Sequence, residues 1–150
     1  MFVESKLNTK EEFDYMMNVF PSIVENELVS IEQIKSEADV AFKDGRYQET
    51  VLKDYLSIEK LLNLAFTAMY TRKIDNEVMY DEILEDLKSK HGLEIDRIGE
   101  FTKYRRMRNN ITHDNYKVSK QEASDAKKFL DELGATLTQY IKTTVETQFK

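Results

Sequence analysis

The stretch Lys103-Tyr104-Arg105-Arg106-Met107-Arg108-Asn109-Asn110-Ile111-Thr112-His113 gathers four cationic side chains and one of the two histidines of a chain whose net charge is -6. That balance argues against a general polyanion-coating surface, yet a local cluster of this kind can hold one phosphate chain in place. An imidazole titrates near neutrality and serves as acid or base, whereas a guanidinium stays charged and grips phosphate oxygens with two parallel hydrogen bonds. His113 and Arg108 supply those two functions. The amide of Asn109, both donor and acceptor, could orient a phosphate or the imidazole. RNA carries its own nucleophile, the 2′-hydroxyl, so a nuclease need only remove that proton, protonate the leaving oxygen and steady the phosphorane. Such chemistry needs no metal and no cofactor, and none is expected here. Lys103, Arg105, Arg106 and Tyr116 are the candidate RNA contacts around the catalytic candidates Arg108, His113 and Asn109.

Helical geometry sets a condition on this site. At about 100° per residue, Arg108 and His113 lie roughly 140° apart around one helix, while Asn109 and His113 lie only about 40° apart. Either the helix ends between Arg108 and His113, or a second chain completes the site; a two-fold dimer would place two arginines and two histidines in one cleft.

The elements that must carry these residues read as helices. Pro21 is the sole proline and Gly45, Gly92, Gly99 and Gly134 are the four glycines, so backbone breakers are scarce. Thr9-Lys10-Glu11-Glu12 has the form of a capping box opening a short first helix that ends at Pro21, and Ser22-Ile23-Val24-Glu25 offers a second box for a helix to about Asp44. Asp44-Gly45 is a natural stop. Tyr47, Val51, Tyr55, Ile58, Leu61, Leu62, Ala65 and Met69 then form one apolar stripe at helical spacing. Thr71 to Asn76 reads as a loop, and Val78, Ile83, Leu84 and Leu87 mark a helix ending at His91-Gly92. The next helix, from about Leu93, places Ile98, Phe101, Tyr104, Met107 and Ile111 inward. Ser119-Lys120-Gln121-Glu122 is a third capping box, ahead of Ala123, Ala126, Leu130, Leu133, Leu137 and Ile141 on a long last helix. The expected architecture is a single all-α domain over residues 1–150, an up-and-down bundle of about five to six helices.

Without cysteine there is no disulfide framework, thiolate metal site or cysteine nucleophile. The N-terminus lacks the pattern of a signal peptide and no long apolar run appears, so a cytoplasmic protein with no membrane partner is expected. Asp75, Glu77, Asp81, Glu82, Glu85 and Asp86 are hard oxygen ligands of the type that suits magnesium, but at this spacing they read as a solvated helix face.

Arg108 through His113 resembles the signature of the HEPN superfamily, an arginine followed by a polar residue and, after further residues, a histidine. Ala41-Phe42-Lys43-Asp44-Gly45-Arg46-Tyr47 through Ser57-Ile58-Glu59-Lys60-Leu61-Leu62 looks like the HEPN helix pair, and Val118-Ser119 with the helix after it looks like the usual HEPN ending. The likeness covers about two-thirds of the chain, from Ala38 onward. It implies a helical-bundle homodimer acting as a metal-independent endoribonuclease of a toxin–antitoxin, phage-defence or CRISPR-associated system, with RNA as substrate. It also implies a nucleotidyltransferase-type antitoxin as partner; one HEPN toxin group carries a modified tyrosine two residues after the histidine. Here Asn115 holds that position and the tyrosine falls one later, at Tyr116.

Plainer readings stand beside these. His113 can be a last-turn histidine facing the negative end of a helix dipole, Arg108 a solvated charge, and Lys103, Arg105 and Arg106 a counterweight to the acidic face. His91 beside Gly92 reads as a helix-end histidine, and Tyr116 as a packing residue. As functions, a non-catalytic HEPN-type module binding a nucleotide or partner protein, and a plain helical interaction protein, are the alternatives to the nuclease.

Overall fold

A computed structural model describes residues 10–70, 79–95 and 97–149, apart from the side chain of Glu12. The capping box that begins at Thr9 and the Thr71 to Asn76 loop, with Asp75, Glu77 and Val78, fall wholly or partly outside the described residues. Five helices occur among those described: α1 (Lys10–Lys43), α2 (Tyr47–Tyr70), α3 (Tyr80–His91), α4 (Gly99–Asp114) and α5 (Lys120–Gln148). The fold is an all-α helical bundle, as expected. No helix among the described residues is long and apolar enough to cross a membrane.

Two boundaries differ from the local signals. The expected break at Pro21 does not occur, and α1 runs through it as one helix of 34 residues, about 51 Å long. Proline inside a helix forfeits a hydrogen bond and costs about 3 kcal/mol, so something must hold the helix on both sides. Phe20, Val24 and Ile31 are buried and Met16, Met17 and Leu28 pack on the same core, so the apolar stripe crosses the proline without a change of face. Phe20 meets Phe149 from the end of the chain at 5.0 Å between rings. Burial of several large side chains at about 1.5–3 kcal/mol each outweighs the local defect.

The second correction concerns α4, which starts at Gly99 and not near Leu93. After α3, Gly92 takes the left-handed conformation, and the Leu93 N–H donates to the Leu87 carbonyl at 3.0 Å. Arg97 is also left-handed, with φ 55°, a conformation that interrupts a helix. Between them Ile95 is buried, so the connection is itself part of the core. Phe101, Tyr104, Met107 and Ile111 do face inward from α4, as their spacing predicts.

Helix α2 is the hub, in contact with α1, α3, α4 and α5. Gly134 allows α5 to approach it closely: a Cβ there would meet Ile58 Cδ1 at 3.4 Å and Leu61 Cδ1 at 3.6 Å. At Gly45, with φ 78°, the chain reverses from α1 into α2, and the Arg46 N–H donates to the Ala41 carbonyl at 2.8 Å.

The α1, α2 and α5 seam holds one costly group. Asp54 is 2% exposed, and neither carboxylate oxygen has a hydrogen-bond partner. Lys127 Nζ from α5 lies 3.7 Å away, shared with Asp131 at 3.5 Å and in close contact with Asp39. Burial pushes the Asp54 carboxyl up to about 7; Lys127 opposes the shift, and Asp131 and Asp39 reinforce it. The folded chain therefore keeps a proton on Asp54 that the unfolded chain releases near 3.8. Stability from this group is full below the unfolded value and is lost as pH rises through the folded one. Asp54→Asn is expected to match the wild type to within about 1 kcal/mol near pH 4 and to exceed it by about 4 kcal/mol at pH 8 in urea unfolding. An equal gap at both pH values would contradict this account.

Candidate functional site

Helix α4 is unbroken from Gly99 to Asp114, so it does not end between Arg108 and His113. Five residues of helix separate the two groups by about 7.5 Å along the axis and roughly 140° around it. Arg108 is half-buried and leans towards α2; His113 is exposed in the last turn. Arg106, Asn109 and His113 are all exposed, and their i, i+3, i+7 spacing puts them on one outward face. One protomer thus brings His113, Asn109 and Arg106 together and leaves Arg108 on a different flank.

Arg108 has a built environment. Its guanidinium carbon sits 5.0 Å from the centroid of the Tyr55 ring, a cation–π distance, and the ring stacks on Phe101 at 5.3 Å with 18° between planes. Tyr55 is buried, and burial pushes its hydroxyl well above the ordinary tyrosine value. Arg108 Nε is buried without a hydrogen-bond partner, and among the described residues no carboxylate forms an ion pair with this arginine. One turn beyond Tyr55 on α2, the half-buried carboxyl of Glu59 is raised by desolvation, while the positive field of Arg108 pulls it back. Tyr80, at the start of α3, is raised by burial and by Glu59, with Arg108 again opposing.

The other cations differ in their circumstances. Arg105 is half-buried and bonded to Asp81 on α3 at 2.9 Å, an inter-helix ion pair. That contact is the counterweight to the acidic face offered as its plainer reading. Lys103 is exposed with its ammonium 5.3 Å from the Tyr104 ring centroid, and Arg106 is exposed. On the acidic face Asp81 is committed to Arg105, Asp86 pairs with Lys90 at 3.4 Å and accepts the Tyr70 hydroxyl, and no metal-holding cluster occurs among the described residues. His91 closes α3 before the left-handed Gly92, with its ring edge against Tyr140 at 5.9 Å.

The segment after the motif is tied down on two sides. Asn115 caps α4 in the left-handed conformation, φ 50° and ψ 43°, and the Tyr116 N–H donates to the Asn110 carbonyl at 3.1 Å. Asparagine tolerates this conformation better than an aromatic residue, a physical reason for Asn115 and not tyrosine to stand there. The Gln48 amide from α2 donates to Asn115 Oδ1 at 3.2 Å and to the Tyr116 carbonyl. The exposed Tyr116 donates its hydroxyl to Glu122 Oε2 at 2.6 Å, and Glu122 also accepts the Ser119 N–H in the capping box that opens α5. The Ser119 backbone bond, then that of Tyr116, hold the Glu122 carboxyl below its usual value.

Tyr55, Glu59, Tyr80 and Gln48 were not among the sequence-derived candidates. Tyr55 belongs to the apolar stripe of α2 and reads as core; the available signal was Glu59 four residues later, which sets a carboxylate on the stripe's own flank. No family model, curated protein or solved structure matches this chain. The class defined by fold and site together is an all-helical bundle carrying a guanidinium and an imidazole on different flanks of one helix.

The Tyr55 ring supports Arg108 while its buried hydroxyl has no partner. Tyr55→Phe keeps the support and removes an unpaired polar atom, so thermal or urea unfolding should show stability raised by about 1 kcal/mol. A loss of that size would mean that the hydroxyl is paired in solution.

Proposed function

We propose that this protein is a metal-independent endoribonuclease of HEPN type, cutting RNA through the 2′-hydroxyl at a site composed across a homodimer. The observation that carries the reading is the state of Arg108: half-buried, held on the Tyr55 ring, and without an ion-pair partner among the described residues. A partly desolvated cation without an anion is costly in a protein that serves only its own stability, and suits a site awaiting one. Arg105, three residues earlier, has such an anion in Asp81. The unbroken α4 supports composition across two chains, because one copy cannot aim Arg108 and His113 at the same phosphate. Arg108 grips the phosphate, His113 transfers a proton, Asn109 orients the imidazole beside it, and Lys103 and Arg106 guide the strand.

The likeness to HEPN proteins supports a cytoplasmic toxin or defence effector acting on RNA. A nucleotidyltransferase-type antitoxin belongs to the same proposal, with Tyr116 and not Asn115 as the nearest tyrosine. A non-catalytic module that binds a nucleotide is favoured by one observation: His113 is exposed and has no hydrogen-bond partner orienting its ring among the described residues.

Incubation with mixed cellular RNA in EDTA should give new ends bearing 2′,3′-cyclic phosphate, and Arg108→Ala and His113→Ala should each abolish them while remaining folded. Retained cutting by a folded His113→Ala protein would remove the proposal. Co-refolding the two inactive variants in equal amounts should restore about a quarter of wild-type activity, since half the dimers are mixed and each mixed dimer has one intact site. No recovery in verified mixed dimers would place Arg108 and His113 of one site on the same chain.

A further inference from the structure

The surroundings of Arg108 contain a second group that the scheme above leaves idle. Glu59 is half-buried on α2, one helical turn after the tyrosine that carries Arg108, and it makes no hydrogen bond or ion pair among the described residues. Arg108 sits with its guanidinium carbon 5.0 Å from the Tyr55 ring centroid, and its positive charge reaches the Glu59 carboxyl, yet no ion pair joins the two. A carboxylate and a guanidinium brought to one seam by neighbouring helices, both partly desolvated, ordinarily close on each other. Left unjoined, with Glu59 one helical turn from the Tyr55 ring that Arg108 sits over, one group is available to grip an anion and the other to accept a proton from it or its neighbour. The charged and titratable groups coupled to Glu59 are Tyr55 on its own helix, Tyr80 on α3 and Arg108 on α4, and Asp81 of α3 and Arg105 of α4 act on Tyr55 beside it. Of these Asp81 and Arg105 neutralise one another, so Arg108 is the unpaired cation.

We propose that Glu59 is the general base of this site, taking the 2′-hydroxyl proton of an RNA strand whose phosphate is held on Arg108. The inference rests on the ribonuclease reading and assigns the acid role to His113 of a second copy. As the 2′-oxygen bonds to phosphorus, its proton passes to a Glu59 carboxylate oxygen. The phosphorus–O5′ bond breaks with its electron pair on O5′, which takes the proton of the His113 imidazolium. The products are a 2′,3′-cyclic phosphate and a 5′-hydroxyl, with no water, metal or oxidant consumed. Partial burial suits the role, because desolvation raises the carboxyl above its ordinary value and a stronger base takes a proton more readily.

The test uses the full-length protein and two short RNAs of one sequence, the second carrying sulfur in place of the leaving O5′. A thiolate departs without being protonated, so the acid becomes dispensable and the base does not. On ordinary RNA, Glu59→Gln and His113→Ala should each lower the rate by about 100-fold or more. On the sulfur-substituted strand His113→Ala should approach wild type, whereas Glu59→Gln should keep its full deficit. With wild type that strand should also show a single fall in rate at acid pH, absent from the residual rate of Glu59→Gln. Glu59→Asp, which retains a carboxylate, should recover part of the rate and guards against a Gln variant that fails to fold. Near-wild-type cutting of ordinary RNA by folded Glu59→Gln, or its rescue by sulfur to the same degree as His113→Ala, overturns the assignment and leaves the nuclease standing. If the wild type cuts neither strand, the ribonuclease reading itself falls, and this inference with it.

Discussion

Helix α2 is in contact with all four other helices, so polar atoms on its inward flanks must be matched by a neighbour or aimed at something outside the chain. The positions Asp54, Tyr55 and Glu59 are where that constraint becomes visible. Asp54 turns towards α1 and α5, where Lys127 bridges it to Asp39 and Asp131. Tyr55, one residue on, turns towards α4, where its ring stacks on Phe101 and lies within cation–π distance of the Arg108 guanidinium. A single helix thus meets a lysine on one side and an arginine on the other, and the two cations are treated differently. Lys127 is surrounded by carboxylates, whereas Arg108 is supported by an aromatic face and has none in ion-pair contact.

That difference separates a cation ringed by carboxylates from one with no ion-pair partner among the described residues. Ringing Lys127 with three acidic groups stabilises its charge, although Asp54 resists ionisation because it is buried. The Arg108 environment supplies an aromatic face 5.0 Å from the guanidinium carbon and no ion-pair partner among the described residues. Arg105 is an internal comparison, since the same helix and nearly the same depth give it an anion in Asp81. Pairing is therefore available to a half-buried arginine of α4, and among the described residues Arg108 has none.

Much of this arrangement was legible in the sequence, and what was not has definable physical causes. Gly45, Gly92 and the Ser119 to Glu122 box are local devices whose effects need only a few neighbouring residues, so each marks its helix end where the pattern places it. Pro21 misleads because its cost is local while its compensation is not: Phe20 is anchored by Phe149, nearly the whole chain away. The late start of α4 depends on Arg97 adopting a left-handed conformation for which arginine is not a signal. At the site, the angular separation of Arg108 and His113 follows from helix geometry alone. The pairing of Arg105 with Asp81 and the support of Arg108 by Tyr55 require knowing which helices meet, and an aromatic residue within an apolar stripe gives no hint that its face carries a cation.

The separation of Arg108 from His113 bears on how activity would be controlled. If one chain held both groups in register, every folded copy would be competent, and only a partner could restrain it. With the two on different flanks of a continuous helix, the proposed anion grip and proton donor of a lone copy face different ways, and under that proposal competence would follow association. The loop after α4 adds to this: Gln48 ties Asn115 and Tyr116 to α2, and Glu122 ties the Tyr116 side chain to α5. Anything that altered Tyr116 would act first on those ties, and through Asn115 on the last turn that presents His113. The imidazole is exposed and has no hydrogen-bond partner among the described residues, so its position is left for association to set.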